Sequence, residues 1–143
     1  MVAPAHTLID TSVIVASLDP DEPHHLACDR VLAAGGHKVC VHALAEVFAI
    51  LTSGRQGRRL RPAAANSLIE ESVLPYVQLV SLSGKDVTAA LAAAEARGVR
   101  GGAVYDLLHL IAARKTGAAR LLTLDVRDFQ ALARPGDPRI ESP

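Results

Sequence analysis

The chain has 143 residues, half of them apolar and only a few aromatic, and its formal charges cancel at neutral pH. That length suits a single domain spanning residues 1–143, with enough apolar side chains for a sizeable core, and the composition excludes intrinsic disorder. A net charge of zero gives no global field to draw in nucleic acid, so attraction to phosphate must come from local basic clusters.

The segment 6–10, HTLID, reads as a short strand ending on Asp10, and TSVIVASL (11–18) begins a helix directly after it. DPDEP (19–23) is a turn, and HHLACDRVLAAGG (24–36) has helical spacing and closes on Gly35 and Gly36. HKVCVH (37–42) is a second strand, and an apolar helix carrying Glu46 follows it to about Ser53 and Gly54. GRQGRRLRP (54–62) is a basic loop, with Pro62 placed for the first turn of a helix over 63–73. YVQLVSL (76–82) is the third strand, and Ser83 with Asp86 forms a capping-box pattern for an Ala-rich helix reaching Arg97. Residues 98–102 are a flexible junction, 103–117 a strongly apolar helix, and RLLTLD (120–125) a fourth strand ending on Asp125. A short helix over 127–133 and a small edge strand over 138–142 complete the chain. Strands alternating with helices, in apolar surroundings, indicate a parallel α/β sandwich.

Cys28 and Cys40 lack CxxC spacing and read as reduced core residues of a cytoplasmic protein. The N-terminal MVAPAHTLID lacks a basic segment followed by a long apolar run, and no window nears the ~18 unbroken apolar residues of a membrane span. Neither secretion nor membrane association is expected.

Four carboxylates stand out. Glu46 is alone in the apolar run VHALAEVFAIL, and Asp106 is the sole formally charged residue between Arg100 and Arg114. An unpaired buried carboxylate is costly, so each must reach solvent, find a partner or do chemistry. Asp10 and Asp125 stand at the carboxyl ends of strands, where open α/β sheets bind ligands. Taken singly, each has a plain reading: Asp10 as a helix N-cap, Glu46 and Asp106 as solvent-facing acids, Asp125 as a turn or cap residue. Asp128 competes with Asp125 but falls within the next helix. Converging, the four would repel by roughly 4 kcal/mol per close pair at an effective dielectric of 20. A divalent cation with hard oxygen ligands resolves that repulsion.

LIDTSVIVA, ALAEVFAIL, VYDLLHLIAA and LLTLDVRDF resemble, in this order, the four acidic motifs of the PIN-domain ribonucleases, and within them the VapC-type toxins of toxin–antitoxin pairs. The resemblance runs from Thr7 to Phe129. It implies a PIN-like three-layer α/β/α sandwich with a mostly parallel four- or five-stranded sheet. It also implies hydrolysis of RNA phosphodiester bonds with Mg²⁺, or Mn²⁺ in its place, leaving 5′-phosphate and 3′-hydroxyl ends. Asp10, Glu46, Asp106 and Asp125 would be both the catalytic and the metal-site acids. Thr11, Ser12 and Thr123 would support them through hydroxyl bonds, although Thr123 reads equally as an ordinary strand residue. The family often carries a further acid shortly after the third motif's Asp; here His109 lies three residues on and reads as a packed helix residue. The resemblance further implies a homodimer and a VapB-type antitoxin lying across the site.

Arg55, Arg58, Arg59 and Arg61 form the densest basic cluster, and Arg100 flanks the junction before the Asp106 helix. They are expected to contact RNA phosphates, against the plainer reading of a solvated loop. Scarce aromatics argue against base-stacking platforms, Tyr105 reads as a core residue, and the histidines lack zinc-motif spacing. A dehalogenase-type phosphatase would need a second acid where Ser12 stands, and a receiver domain would need an Asp where the second strand ends on His42. The remaining alternative is a non-catalytic PIN-fold module binding RNA or protein, disfavoured by the presence of all four acids.

Overall fold

The computed structural model describes residues 7–143, save the side chain of Gln56. His6, the first residue of the expected opening strand, lies outside them. In chain order the elements are β1 (Thr7–Ile9), α1 (Thr11–Leu18), α2 (His25–Ala34), β2 (His37–Cys40), α3 (His42–Thr52) and α4 (Pro62–Ser72). They continue with β3 (Val77–Val80), α5 (Gly84–Ala93), α6 (Ala103–Lys115), β4 (Arg120–Leu122), α7 (Val126–Leu132) and β5 (Arg139–Glu141).

The five strands form one sheet in the order β3-β2-β1-β4-β5. Every neighbouring pair is parallel, with Leu8 opposite both Lys38 and Leu121, Val39 opposite Leu79, and Leu121 opposite Ile140. Side chains alternate across a strand, and the sequence uses that period of two to feed two cores. Ile9, Val39 and Leu122 point to one face, where they pack with residues of α1, α2, α3 and α4. Leu8, Cys40 and Leu121 point to the other, against α6, Phe129 and Leu132. The result is a three-layer sandwich whose central strands are covered on both sides, as parallel sheets require.

Local signals set most boundaries. Asp10 caps α1 by accepting from the Val13 amide at 3.2 Å, and Pro62 starts α4. The Ser83–Asp86 capping box closes with bonds of 2.8 and 3.0 Å. Gly35 (φ +75°) and Gly117 (φ +67°) follow α2 and α6 in the left-handed region, which side chains with a Cβ seldom enter.

Several expected boundaries shift. β2 stops at Cys40, because Val41 turns into the right-handed helical region (φ −56°, ψ −32°), so His42 opens α3 instead of closing a strand. β3 begins at Val77, after a 3₁₀ turn over Leu74–Tyr76, and α5 stops at Ala93, not Arg97. The basic loop contains a 3₁₀ turn at Arg55–Gly57.

Strand order positions the site. β1 has β2 on one side and β4 on the other, so chain progression reverses between β1 and β4. The crevice beyond the carboxyl ends of two such strands is where open α/β sheets hold ligands. Asp10 follows β1 and Thr123 follows β4, so both border that crevice.

Candidate active site

Asp10 is the fixed point of the crevice. It is 3% exposed, and both carboxylate oxygens are engaged. Oδ1 accepts from Ser12 Oγ at 2.6 Å and from the Val13 amide, and Oδ2 accepts from Thr123 Oγ1 at 2.7 Å. The same hydroxyls bind the loop after β4: Ser12 Oγ accepts from the Leu124 amide at 3.0 Å, and Thr123 Oγ1 from the Asp125 amide at 2.9 Å. Asp10 is thus both the helix cap of the plainer reading and a member of the acidic group. Burial raises its pKa, opposed by His109 and by the Ser12 and Thr123 hydroxyls.

Asp106 lies in the first turn of α6. Burial first, then the carboxylates of Asp10, Asp125, Glu46 and Asp128, push its pKa up to about 7. Asp106 thus lies within electrostatic range of the three other predicted acids. Asp125 is the N-cap of α7, yet its side chain makes no capping bond. Burial and then Asp128 raise its pKa. Asp128 is therefore part of the same negative field and not an outlying competitor.

Glu46 has partners, which answers why an acid sits in that apolar helix. Its Oε1 accepts from Thr11 Oγ1 at 3.0 Å and lies 3.0 Å from His42 Nε2 and 3.3 Å from His109 Nε2. Burial opposes its ionisation, but His109 and His42 outweigh burial and draw its pKa down to about 2. His42 stands one turn before Glu46 on α3, and the two imidazoles sit with centroids 4.4 Å apart. Cys40 Sγ lies 2.9 Å from His42 Nδ1.

These histidines are what the sequence reading missed. The His42–Glu46 spacing of four residues was readable once α3 begins at His42. His109 is packed, as expected, at 1% exposure, but its Nε2 also faces Glu46. Among the described residues, the one group of three or more potential metal ligands with atoms all within 4.8 Å is His42, Glu46 and His109. No three of the predicted acids meet that spacing. An all-oxygen set at wider spacing fits a hard cation that keeps part of its water shell, as Mg²⁺ does.

The basic residues divide. Arg58 is engaged with the turn before α2: its Nε and Nη2 each lie 3.0 Å from Asp19 Oδ2, with Glu22 at 3.7 Å. Arg55, Arg59, Arg61 and Arg100 are exposed. Arg55 and Arg58 border a cavity of about 490 Å³ whose wall also includes Ser12, Ile50 and Asp125. Tyr105 is 47% exposed, not a core residue, and stacks at 6.0 Å on His42. Both cysteines are free and buried, and burial pushes the Cys28 thiol up to about 11.

The fold and the crevice define an α/β protein with an acidic pocket at the switch point of a parallel sheet. The PIN-domain family profile matches residues 7–135. Ribonuclease VapC27 of Mycobacterium tuberculosis is 35% identical over 122 residues, covering 83% of this chain and 84% of that protein. The crystal structure of M. tuberculosis VapC20, a sarcin-ricin loop cleaving toxin, superposes with a TM-score of 0.68 at 19% identity, over 92% of this chain and 99% of that one. DNA-bound VapBC from Salmonella typhimurium gives 0.64 at 14% identity, over 99% and 98%. The chain belongs to the PIN-domain family.

Proposed function

We propose that residues 1–143 form one PIN domain that acts as an Mg²⁺-dependent endoribonuclease, a growth-inhibiting toxin neutralised by a VapB-type antitoxin. What supports this reading is Asp10, buried at the carboxyl end of β1 and bonded to Ser12 and Thr123, together with the burial and neighbouring carboxylates that raise the Asp106 pKa. The 35% identity to a ribonuclease of the VapC group supports the same reaction class.

Asp10, Glu46, Asp106 and Asp125 would hold the cation, and their oxygen-only donors accommodate Mn²⁺ as well as Mg²⁺. When bound, such an ion supplies Lewis-acid polarisation of the phosphate and makes a water acidic enough to attack. The chain's own residues do the rest. Ser12 and Thr123 hold the Asp10 carboxylate in one orientation, and Thr11 does the same for Glu46. Exposed Arg55, Arg59, Arg61 and Arg100 contact RNA phosphates beyond the scissile bond. Arg58 sets the wall of the cavity through Asp19 and Glu22, and its contact with RNA would be shared with that ion pair.

No helix among the described residues is long and apolar enough to cross a membrane. The reading places the protein in the cytoplasm, as a homodimer meeting its antitoxin there. Purified, antitoxin-free protein should cut bacterial RNA at discrete positions with Mg²⁺, leaving 5′-phosphate ends. Cutting should stop with EDTA and in Asp10→Asn. A folded, metal-supplied protein that leaves every RNA intact would favour the binding-module alternative.

A further inference from the structure

We propose that His42, Glu46 and His109 form a second cation site, selective for a borderline transition ion of the Zn²⁺ type and sharing Glu46 with the oxygen-only site.

Geometry carries the inference. His42 Nε2 lies 3.0 Å from Glu46 Oε1, yet this buried nitrogen has no hydrogen-bond partner. The two atoms are close without the ring nitrogen being aimed at the oxygen. His109 Nε2 approaches the same oxygen at 3.3 Å from a different element, α6. Zinc–nitrogen and zinc–oxygen bonds of 2.0–2.2 Å set the edges of a coordination tetrahedron at about 3.3–3.6 Å. Ligands of one metal point at a common centre and not at one another, which reproduces short separation without donor–acceptor alignment. The three ligand atoms, all within 4.8 Å of one another, make a two-histidine, one-carboxylate set with a position open.

The surroundings suit the same role. Cys40 Sγ, 2.9 Å from His42 Nδ1, takes up the outer nitrogen of that ring and leaves Nε2 to face inward. Thr11 Oγ1 donates to Glu46 Oε1 at 3.0 Å and lies 3.3 Å from His109 Nε2, so it fixes the carboxylate from the remaining side. His109 is 1% exposed, and its Nδ1 is buried without a partner, so nothing on the outer side of that ring fixes its tautomer. Imidazole nitrogens favour Zn²⁺, Co²⁺ and Ni²⁺ and suit Mg²⁺ poorly. The two sites therefore differ in ion class and compete for one carboxylate. Inhibition of RNA cleavage by Zn²⁺ follows, and that consequence alone rests on the proposed nuclease reading.

The test is Co²⁺ titration of the full chain, followed by visible absorption, with Zn²⁺ displacement by calorimetry. One equivalent of Co²⁺ should give the intense bands of a four- or five-coordinate ion, bleached by Zn²⁺ and retained in Asp106→Asn. His42→Gln should weaken binding by about 100-fold or more, since loss of even an outer partner costs 10–100-fold. His109→Gln should do the same, with circular dichroism reporting whether this buried change folds; His42→Gln, at a more exposed position, decides the matter if it does not. A spectrum that stays octahedral and aqueous, or binding equal in wild type and folded His42→Gln, overturns the site. Binding bands without any RNA cleavage would uphold the site and sink the nuclease reading. Cleavage without bands would do the reverse.

Discussion

Thr123 Oγ1 donates a 2.7 Å hydrogen bond to Asp10 Oδ2 across 113 residues of chain. One hydroxyl thereby joins the ends of β1 and β4 and holds the most buried acid of the crevice. Thr123→Val keeps the shape and removes the bond, leaving a buried carboxylate oxygen short of a donor. The expected cost is about 1–3 kcal/mol of stability and a loss of RNA cleavage of roughly tenfold or more, on the scale of lost outer-sphere partners. Thr123→Ser should restore most of both. Wild-type cleavage by a folded Thr123→Val protein would remove Thr123 from the site.

Asp106 gives the metal-free protein a pH signature. Its pKa moves from the ordinary 3.8 to about 7 in the folded state. Between those values the folded state binds more protons than the unfolded state, so this group's contribution to stability falls as pH rises through the window. Thermal melts in EDTA should decline across it, and Asp106→Asn should flatten the decline while abolishing cleavage. Adding Mg²⁺ should stabilise wild type most above pH 7, where no proton competes. A rise in melting temperature with pH that depends on Asp106 would contradict the burial and repulsion described here.

The His42–Glu46 pair works in the opposite sense at each end of the scale. Glu46 falls to about 2, so its contribution is present above its ordinary 4.5 and is lost as pH drops through 2. The Cys40 and Glu46 contacts outweigh burial and raise His42 to about 9, so its contribution is present below the ordinary 6.5 and is lost as pH rises through 9. Both are in full force only between about 4.5 and 6.5. In chelator, His42→Gln should cost about 1–2 kcal/mol in that window and progressively less toward pH 9. Denaturant melts at a series of pH values read this directly.

Phe129 is fully buried on α7, the helix that Asp125 opens, and lies 6.3 Å from the His109 ring. Phe129→Ala should cost about 3–5 kcal/mol through cavity formation. Because α7 carries Asp125 and Asp128, cleavage should fail at temperatures below the global melt. Full activity up to the melting point would mean that α7 packing does not position the acids.

The parallel sheet was legible because strand and helix follow one another within a few residues, and the same order drew attention to the four acids. Asp10 follows β1 directly and Asp106 is isolated among apolar residues at helical spacing, whereas Asp125, expected to end the fourth strand, lies beyond β4 (Arg120–Leu122) as the N-cap of α7. The surroundings of Glu46 were not legible. No capping side chain marks the start of α3, since Val41 makes no cap bond, so His42 looked like the end of a strand. The Arg58 pairing with Asp19 spans 39 residues, a tertiary contact that no local pattern announces. His109 looked like core and is core; only its second face, against Glu46 and Thr11, needed three dimensions.

The strand order also bears on when the site comes into being. β1 is made first, but its neighbour β4 and the Thr123–Asp125 segment emerge more than a hundred residues later. A nascent chain that has exposed β1, β2 and β3 lacks the ladder, the Thr123 bond to Asp10 and the fourth acid. Asp10 then borders an open sheet edge and not a crevice. Long-range pairings of this kind form late and slowly. The crevice therefore stays incomplete until β4 and the segment after it have emerged, 113 residues behind Asp10.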